Sequence, residues 1–280
     1  MIQTIPNTLA YFNISGSLIL YRDNTHKKVG LANYLRQQLS IDKQVILTRS
    51  GGAFAMCLAL AYPEKKVVDV YKISDTYRNL LSGLGNYQNI GDQYQKYNAP
   101  INETSSKYIF LNQHLLDVAP SYYKQHFTNV IAPTITNHQI DCFVDCSHSG
   151  ATLAGIYQIK KDQWSFILGV IQSEEQIPTT KRHLLQHVQY QAITTTHFNT
   201  VLIEEKCLLL DGVSDIFEAT RSISAAFRWL QLNPGKTVLV YVGDGAVTIP
   251  EGHSLMIDHN IEDLTIEDIA MEGTYYDRNI

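Results

Sequence analysis

The sequence has few cysteines and no long apolar run, features that mark disulfide-rich and membrane proteins. Four cysteines occur among its 280 residues, namely Cys57, Cys142, Cys146 and Cys207. Because they lie in apolar segments without close pairing, we expect buried, reduced thiols in a cytoplasmic protein. No stretch reaches the roughly 18 apolar residues that a membrane helix needs. The first residues, MIQTIPNTLAYF, have neither a basic start nor a long apolar run, so we expect no secretory signal.

Neither sign of charge dominates the composition or forms a long run. Lysine and arginine number 22 against 27 aspartates and glutamates, which gives a formal net charge of -5. Charged residues make up 18% of the chain and hydrophobic residues 45%. This is an ordinary globular composition without a basic stripe or a block of like charge. We therefore expect a protein that binds neither nucleic acid nor membrane.

Short apolar segments alternate with helical ones along most of the chain. The predicted strands are 44–48, 66–71, 107–111, 141–145, 164–171, 207–211 and 237–242. Predicted helices cover 52–62, 122–131, a stretch beginning at Ala151, and 215–230. Strands this apolar are buried on both faces, so the pattern predicts an α/β fold with mostly parallel sheets. The polar stretches 86–107 and 173–200 are predicted to be loops.

Small and polar residues follow three of the predicted strands, at 48–52, 145–152 and 243–245. Ligands of open α/β sheets bind beyond the carboxyl ends of the strands. Hydroxyl and glycine residues at a strand-to-helix turn, as in the second of these segments, are typical of an anion site. The segment YRDNTHKKVG (21–30) is predicted to be a loop and adds two lysines. These features favour a phosphorylated ligand near a lysine.

Several segments, taken in order, resemble those of the fold-type II pyridoxal-phosphate enzymes. These enzymes form the tryptophan synthase beta superfamily, and the similarity is greatest to its cysteine synthase branch. The matching segments cover roughly residues 5 to 250 and are IPNTLAYF (5–12), DNTHKKVGLANYL (23–35), VILTRSGGAFA (45–55), HSGATLAG (148–155), GVIQSEEQ (169–176), YQAIT (190–194), VSD (213–215) and GKTVLVYVGDG (235–245).

The resemblance implies that Lys27 is the Schiff-base lysine, because Ala32, Asn33 and the residues after them then match the helix that follows the lysine in the family. Desolvation lowers the pKa of such a lysine and leaves its amine free to take and return a proton. Lys28 takes the role if the alignment is one residue off. A pair of solvated surface lysines is the alternative reading of the same segment.

The resemblance places the phosphate of pyridoxal 5'-phosphate at the start of the helix that begins near Ala151. Further implied cofactor contacts come from Gly52 and Asp244. The full predicted set of cofactor-binding residues is His148, Ser149, Gly150, Ala151, Thr152, Gly52 and Asp244. A capped helix without a ligand and an ordinary Asp-Gly turn are the alternatives for these segments.

The resemblance also implies a set of substrate-binding residues, which are Arg49, Ser50, Gly51, Ala53 and Thr194. In the family, the first of these loops holds the amino-acid carboxylate with backbone amides and hydroxyls. This chain departs from the pattern, since Gly52 stands at the position of an asparagine and Ala53 at that of a threonine. Arg49 is an added charge that could bind a second carboxylate or cap the loop.

Two other chemistries are predicted to be absent. Asp145, His148 and Ser149 lie in one turn, whereas the members of a Ser-His-Asp triad converge from separate segments. His183 and His187 have the spacing of a two-histidine zinc site but lack the glutamate and third ligand of such sites. We expect no metal.

The resemblance implies two three-layer α/β domains, a smaller one over 12–138 and a larger one built from 1–11 and 139–280. It implies a homodimer that acts on a small amino acid. The expected reaction is β-replacement on an activated serine, with an unknown nucleophile. β-Elimination by the same machinery is one alternative. A catalytically degenerate relative that only binds is the other.

Overall fold

The chain folds into two compact units, each built around its own sheet. In this computed structural model the described residues are 2–4, 6–23, 27–50, 52–73, 75–97, 101, 105–113, 116–146, 150–160, 164, 166–171, 189–192 and 216–243. The first unit takes its described residues from 2–27 and 117–243, and the second takes them from 28–116. The predicted domain boundaries, 12–138 and 1–11 with 139–280, stay a prediction.

The first unit contains a mixed sheet whose strands are mostly parallel. Its strands are β1 (Ile2–Thr4), β2 (Ser17–Arg22), β7 (Cys142–Cys146), β8 (Phe166–Ile171), β9 (Gln189–Ala192) and β10 (Thr237–Val242). Its described helices are α1 (Pro6–Tyr11), α6 (Ala119–His126), α7 (Ala132–Thr134), α8 (Ala151–Lys160) and α9 (Ile216–Leu232), and a π-helical turn (Phe127–Ile131) joins α6 to α7. The strand order is β1-β2-β10-β7-β8-β9, and β1 runs antiparallel to β2.

The sheet of the first unit is buried on both faces. Leu18 and Leu20 of β2 belong to a hydrophobic cluster that includes residues of α9, such as Phe227. The alternate residues Ile19 and Tyr21 belong to a second cluster, formed with residues of α8 and the π-helical turn. Since successive side chains of a strand point to opposite faces, helices cover both sides of the sheet. This arrangement confirms the predicted α/β fold class for the described residues.

The second unit contains a fully parallel sheet among its described residues. Its strands are β3 (Val45–Thr48), β4 (Lys66–Asp69), β5 (Tyr87–Asn89) and β6 (Tyr108–Phe110), in the order β5-β4-β3-β6. Its helices are α2 (Lys27–Gln38), which begins at the last residue of the first unit, α3 (Ala53–Ala61), α4 (Asp75–Leu81) and α5 (Gly91–Tyr97). Every residue of β3 is buried, as its apolar composition predicts.

Two predicted loops contain regular structure. The stretch 86–107 forms β5 and α5, and the stretch 173–200 contains β9. Asn86 donates side-chain hydrogen bonds to the carbonyls of Ala59, Tyr62 and Lys65. These bonds join residues 21 to 27 positions apart along the chain, so they cannot be predicted from a local sequence pattern.

Further differences concern β2 and the lysine segment. The strand β2 was not among the predicted strands, and the predicted loop 21–30 ends where α2 begins at Lys27. The predicted strand 207–211 lies outside the described residues. Among the helices that the structure describes, none is long and apolar enough to cross a lipid bilayer.

Asp141 ties the amino-terminal ends of β7 and β10 together. Its backbone N–H donates to the carbonyl of Thr237, and its carboxylate accepts from the N–H of Thr237 and the ammonium of Lys236, each at 2.9 Å. Desolvation raises the pKa of Asp141, but these two donors outweigh it and bring that pKa below the ordinary 3.8. The ionised carboxylate therefore stabilises the folded state.

We predict that Asp141→Asn lowers the free energy of unfolding by about 1 kcal/mol at neutral pH. The folded-state pKa lies below the unfolded one, so the contribution is present above pH 3.8 and is lost as the pH falls through the folded-state value. Urea titrations at several pH values should show the difference from the native chain shrinking in acid. Asp117→Asn, an exposed aspartate of the same unit, is the control, and an equal loss there would contradict the prediction.

Asp23 makes the corresponding link at the carboxyl ends of β2 and β10. Its backbone N–H donates to the carbonyl of Val242. Its Oδ2 lies 2.8 Å from Nε2 of His126 and accepts a hydrogen bond from the hydroxyl of Tyr241 at 3.1 Å. The ring of Tyr122 stacks on that of His126 with centroids 5.7 Å apart. We call Asp23, His126 and Tyr241 the strand-end cluster.

We predict that His126→Ala lowers the free energy of unfolding by about 1–3 kcal/mol, because it removes a partner of a buried carboxylate. The Asp23 side chain is only 9% exposed, so bulk water cannot replace the hydrogen bond that His126 provides. Thermal and urea unfolding measure the loss. His138→Ala is the matched control, since His138 is an exposed histidine of the same unit. If both substitutions have the same effect, the cluster does not fasten the strand ends.

Candidate active site

Three of the predicted cofactor segments follow neighbouring strands of the first unit. The strand β10 lies between β2 and β7 and is parallel to both, with Val242 opposite Arg22 and Val240 opposite Val144. Parallel neighbours end at the same edge of a sheet, and each is about 4.8 Å from the next. The strands that precede Lys27, Asp244 and Gly150 in the sequence therefore end side by side.

Lys27 is the first residue of α2. It follows Asp23, a member of the strand-end cluster, by four positions in the sequence. The bonds of Asp23 to His126 and Tyr241 hold the chain at the end of β2 before it enters this helix. Lys28 is the second residue of the same helix, so the alternative of a one-residue shift stays open.

The segment after β7 has the geometry of a helix that begins in a buried turn. Gly150 has a φ of 73°, a left-handed conformation that favours glycine. Its carbonyl accepts a hydrogen bond from the N–H of Ala154 at 2.9 Å, and Ala151 and Thr152 form the buried first turn of α8. N–H groups in the first turn make no intrahelical hydrogen bond and suit an anion. His148 and Ser149 lie outside the described residues.

The end of β10 carries a buried tyrosine among carboxylates. Complete burial, and then the charge of Asp23, raise the pKa of Tyr241 well above its ordinary value of 10.0, and Asp145 adds to the effect. Tyr241 is therefore a neutral hydrogen-bond donor at any physiological pH. A Cβ added to Gly243 would lie 2.6 Å from the Tyr241 ring, so this position has no room for a side chain. Asp244 lies outside the described residues.

The predicted substrate loop follows β3 in the second unit and is organised by a residue that the sequence analysis missed. Both oxygens of the Asp69 carboxylate accept hydrogen bonds from this loop. The N–H of Ser50 donates to Oδ1 at 3.2 Å, while the hydroxyl of Ser50 and the N–H of Gly52 donate to Oδ2 at 3.0 and 3.1 Å. The N–H of Tyr71 adds a bond to Oδ1 at 3.0 Å.

The loop enters α3 through a glycine turn. Gly52 has a φ of 113°, which a residue with a side chain rarely adopts. The hydroxyl of Ser50 accepts from the N–H of Ala55 at 3.0 Å in the first turn of α3, and Ala53 is buried. Position 52, where the resemblance places an asparagine of the family, therefore has a backbone conformation that favours glycine. Gly51 and Thr194 lie outside the described residues.

Asp69 itself is fully buried at the end of β4. Desolvation raises the pKa of this carboxyl above the ordinary 3.8, and its hydrogen bonds to Tyr71, Ser50 and Gly52 offset that rise only in part. Four donors around one carboxylate are the compensation that a buried charge requires.

Basic side chains lie near this loop. Arg49 is exposed, and its guanidinium lies 5.7 Å from the ring centroid of Tyr71, a cation–π distance. Lys72 and Arg78 lie 3.9 and 4.0 Å from the carboxylate of Asp92. Lys72 and Arg78 are therefore partly neutralised by Asp92, and Arg49 is the exposed cation of the loop that follows β3.

The structure thus places the predicted residues in two groups. Lys27 follows β2, and Gly150, Ala151 and Thr152 follow β7, the two strands that flank β10 in the first sheet. The loop Arg49 to Ala53 follows β3 of the second sheet. The residues missed by the sequence analysis are Asp69, Asp23 and His126. A carboxylate inside the apolar run KVVDVY was the one visible signal for Asp69.

Cysteine and metal chemistry find little support among the described residues. Cys57, Cys142 and Cys146 are buried, and burial raises the pKa of the Cys57 thiol to about 12. No group of three histidine, cysteine or acidic side chains able to hold a metal ion occurs in the described part of the chain. His183 and His187 fall outside it.

No protein-family model and no curated protein matches this sequence. Solved structures match it over most of its length. An O-acetylserine dependent cystathionine beta-synthase from Helicobacter pylori has a TM-score of 0.66 and 17% identity, with 88% of this chain and 92% of that chain covered.

Two further matches have similar values. Isoform 3 of O-acetyl serine sulfhydrylase from Entamoeba histolytica has a TM-score of 0.66 and 15% identity, with 90% of each chain covered. An O-ureido-L-serine synthase has a TM-score of 0.63 and 14% identity, with 88% of each covered. The chain therefore has the fold of these cysteine synthase-like fold-type II enzymes, which confirms the fold predicted from the sequence.

Proposed function

We propose that this protein is a pyridoxal-phosphate-dependent enzyme that carries out β-replacement on an activated serine. The observation that carries the proposal is the order of three adjacent parallel strands, β2, β10 and β7. The candidate lysine, the Asp244 segment and the candidate phosphate loop each follow one of these strands at the same edge. A phosphorylated cofactor linked to a lysine needs groups from separate chain segments at one place, and this topology supports such an arrangement.

The residues present fit the cofactor's phosphate. Gly150 begins a helix of ten residues whose first turn is buried and uncharged, and Thr152 adds a hydroxyl there. Such a helix start favours a phosphate over a neutral ligand. Ser149, Gly150, Ala151 and Thr152, with His148 before them, would hold the phosphate by N–H and hydroxyl donors.

Lys27 would attach the cofactor, and Asp244 would keep the ring nitrogen protonated. Bound pyridoxal phosphate supplies an electron sink that stabilises negative charge at the substrate's α-carbon. The Nζ of Lys27 would take the proton from that carbon and hold it. A neutral lysine amine is suited to this step, because its proton affinity is tuned by desolvation.

The predicted substrate loop would bind the amino acid. Arg49, Ser50, Gly51, Gly52 and Ala53 form this loop, and Thr194 is the further predicted substrate contact. The similar structures support a serine derivative as substrate, since two of them are an O-acetylserine dependent cystathionine beta-synthase and an O-acetyl serine sulfhydrylase, and a third is an O-ureido-L-serine synthase. A homodimer in the cytoplasm is part of the same proposal.

We predict that the purified protein gains a visible absorbance band when pyridoxal phosphate is added. Borohydride reduction followed by peptide mapping should place the modified lysine at position 27. Lys27→Ala should abolish the band, because no amine then remains at the attachment point. Lys28→Ala is the matched control and should keep it.

The opposite result for the two variants would move the role to Lys28. Absence of a band in the native chain, even with excess cofactor, would overturn the proposed activity. It would favour the degenerate relative that only binds a ligand.

We predict that O-acetylserine alone releases little pyruvate and ammonia, whereas O-acetylserine with sulfide gives cysteine. In β-replacement a nucleophile adds to the β-carbon, so turnover requires a second substrate. Assays of pyruvate and cysteine with and without sulfide distinguish the reactions. Steady pyruvate release without a nucleophile would instead assign β-elimination.

A further inference from the structure

The carboxylate of Asp69 has no capacity left for a ligand. An ionised carboxylate offers about four lone-pair sites. Ser50 fills two of them with its N–H and hydroxyl, and the N–H groups of Gly52 and Tyr71 fill the others, all at 3.0–3.2 Å. A buried carboxylate in this state is unsuited to accept a proton from a substrate or to bind a metal. Its effect is to fix the positions of its donors.

The same contacts decide what the loop can offer to a substrate. The two N–H groups and the hydroxyl that Ser50 and Gly52 could give to an amino-acid carboxylate are already directed at Asp69. The exposed cation of the loop is Arg49, whose guanidinium rests over the ring of Tyr71. Tyr71 is 46% exposed, and its N–H is bound to Asp69 as well.

We propose that Asp69 is the positioning residue of the substrate loop and that it sets Arg49 to bind an anionic group of the substrate. Asp69 holds the chain on both sides of the cation–π pair, at Ser50 after Arg49 and at Tyr71 itself. Arg49 then acts from a fixed backbone. The inference rests on the proposed function, because it takes residues 49–53 as the loop that binds the amino acid.

Asp69→Asn tests the inference, since it preserves size but removes the charge and turns an amide N–H₂ toward N–H donors. The Michaelis constant for O-acetylserine, assayed with sulfide, should rise about tenfold, which corresponds to the loss of one charge-assisted contact. The turnover number should change less than threefold. Asp42→Asn, the same change at an exposed aspartate of this unit, should leave both constants unaltered.

A double-mutant cycle of Asp69 and Arg49 distinguishes a role of Asp69 in positioning Arg49 from a general effect on stability. Arg49→Gln should raise the same Michaelis constant about tenfold, and the double variant should be no worse than either single one, because both remove one function. Independent, multiplying effects would overturn the proposal. So would a loss of turnover number at an unchanged Michaelis constant.

Hydrogen exchange of the backbone amides gives a readout that does not need activity. In Asp69→Asn the amides of Ser50, Gly52 and Tyr71 should exchange at least about tenfold faster, while amides of β3 keep their protection. Unchanged exchange at these residues would overturn the proposal. If the native chain lacks the lysine-linked absorbance band, the proposed function fails, and the exchange result still decides whether Asp69 positions the loop.

Ser50→Ala keeps the test decisive if Asp69→Asn does not fold. It removes one of the four donors and the hydroxyl that accepts from Ala55. A smaller rise of the Michaelis constant, together with faster exchange at Gly52, would support the inference. No change in either would overturn it.

Discussion

The burial of the first sheet on both faces is the constraint on which the rest of the structure depends. Helices cover both sides of β2, β10 and β7, so the side chains in the middle of these strands are apolar. Their polar side chains lie at or next to a strand end, namely Ser17, Arg22, Asp145 and Thr237. Polar chemistry can then lie only where the strands end. Because the three strands are parallel, their carboxyl ends share one edge, and each chain segment that leaves there can contribute to one site.

The two ends of these strands carry different polar contacts. At the amino-terminal ends, Asp141 accepts from Thr237 and Lys236 at the surface, which fastens β7 to β10. At the carboxyl ends, Asp23 binds His126 and Tyr241 with little exposure to water. The side chains of Asp23, His126 and Tyr241 are all largely buried, whereas that of Lys236 is half-exposed. The strand-end cluster also includes the residue that ends the described chain before Lys27.

Most of the strands could be predicted from the sequence, because a buried parallel strand needs an uninterrupted apolar run. The segment 44–48 became β3 and 237–242 became β10 on this signal. The strand β5 could not be predicted in this way, because its residues are only half-buried and polar. Its place depends on Asn86 and Asn89, whose amides bind carbonyls far away in the sequence. Such bonds depend on tertiary structure rather than on local pattern.

The candidate site divides along the same line. Gly150 and Lys27 stand in local motifs, so a resemblance could find them. Asp69 acts through the register of β3 against β4, which pairs Thr48 with Asp69 and so brings the carboxylate beside the loop that follows Thr48. An apolar residue at position 69 would avoid the desolvation that raises this pKa, and such replacements of buried charges are often neutral or stabilising. Stability alone is therefore a weak reason for a carboxylate here, whereas the orientation of Ser50 and Gly52 requires an acceptor at this point.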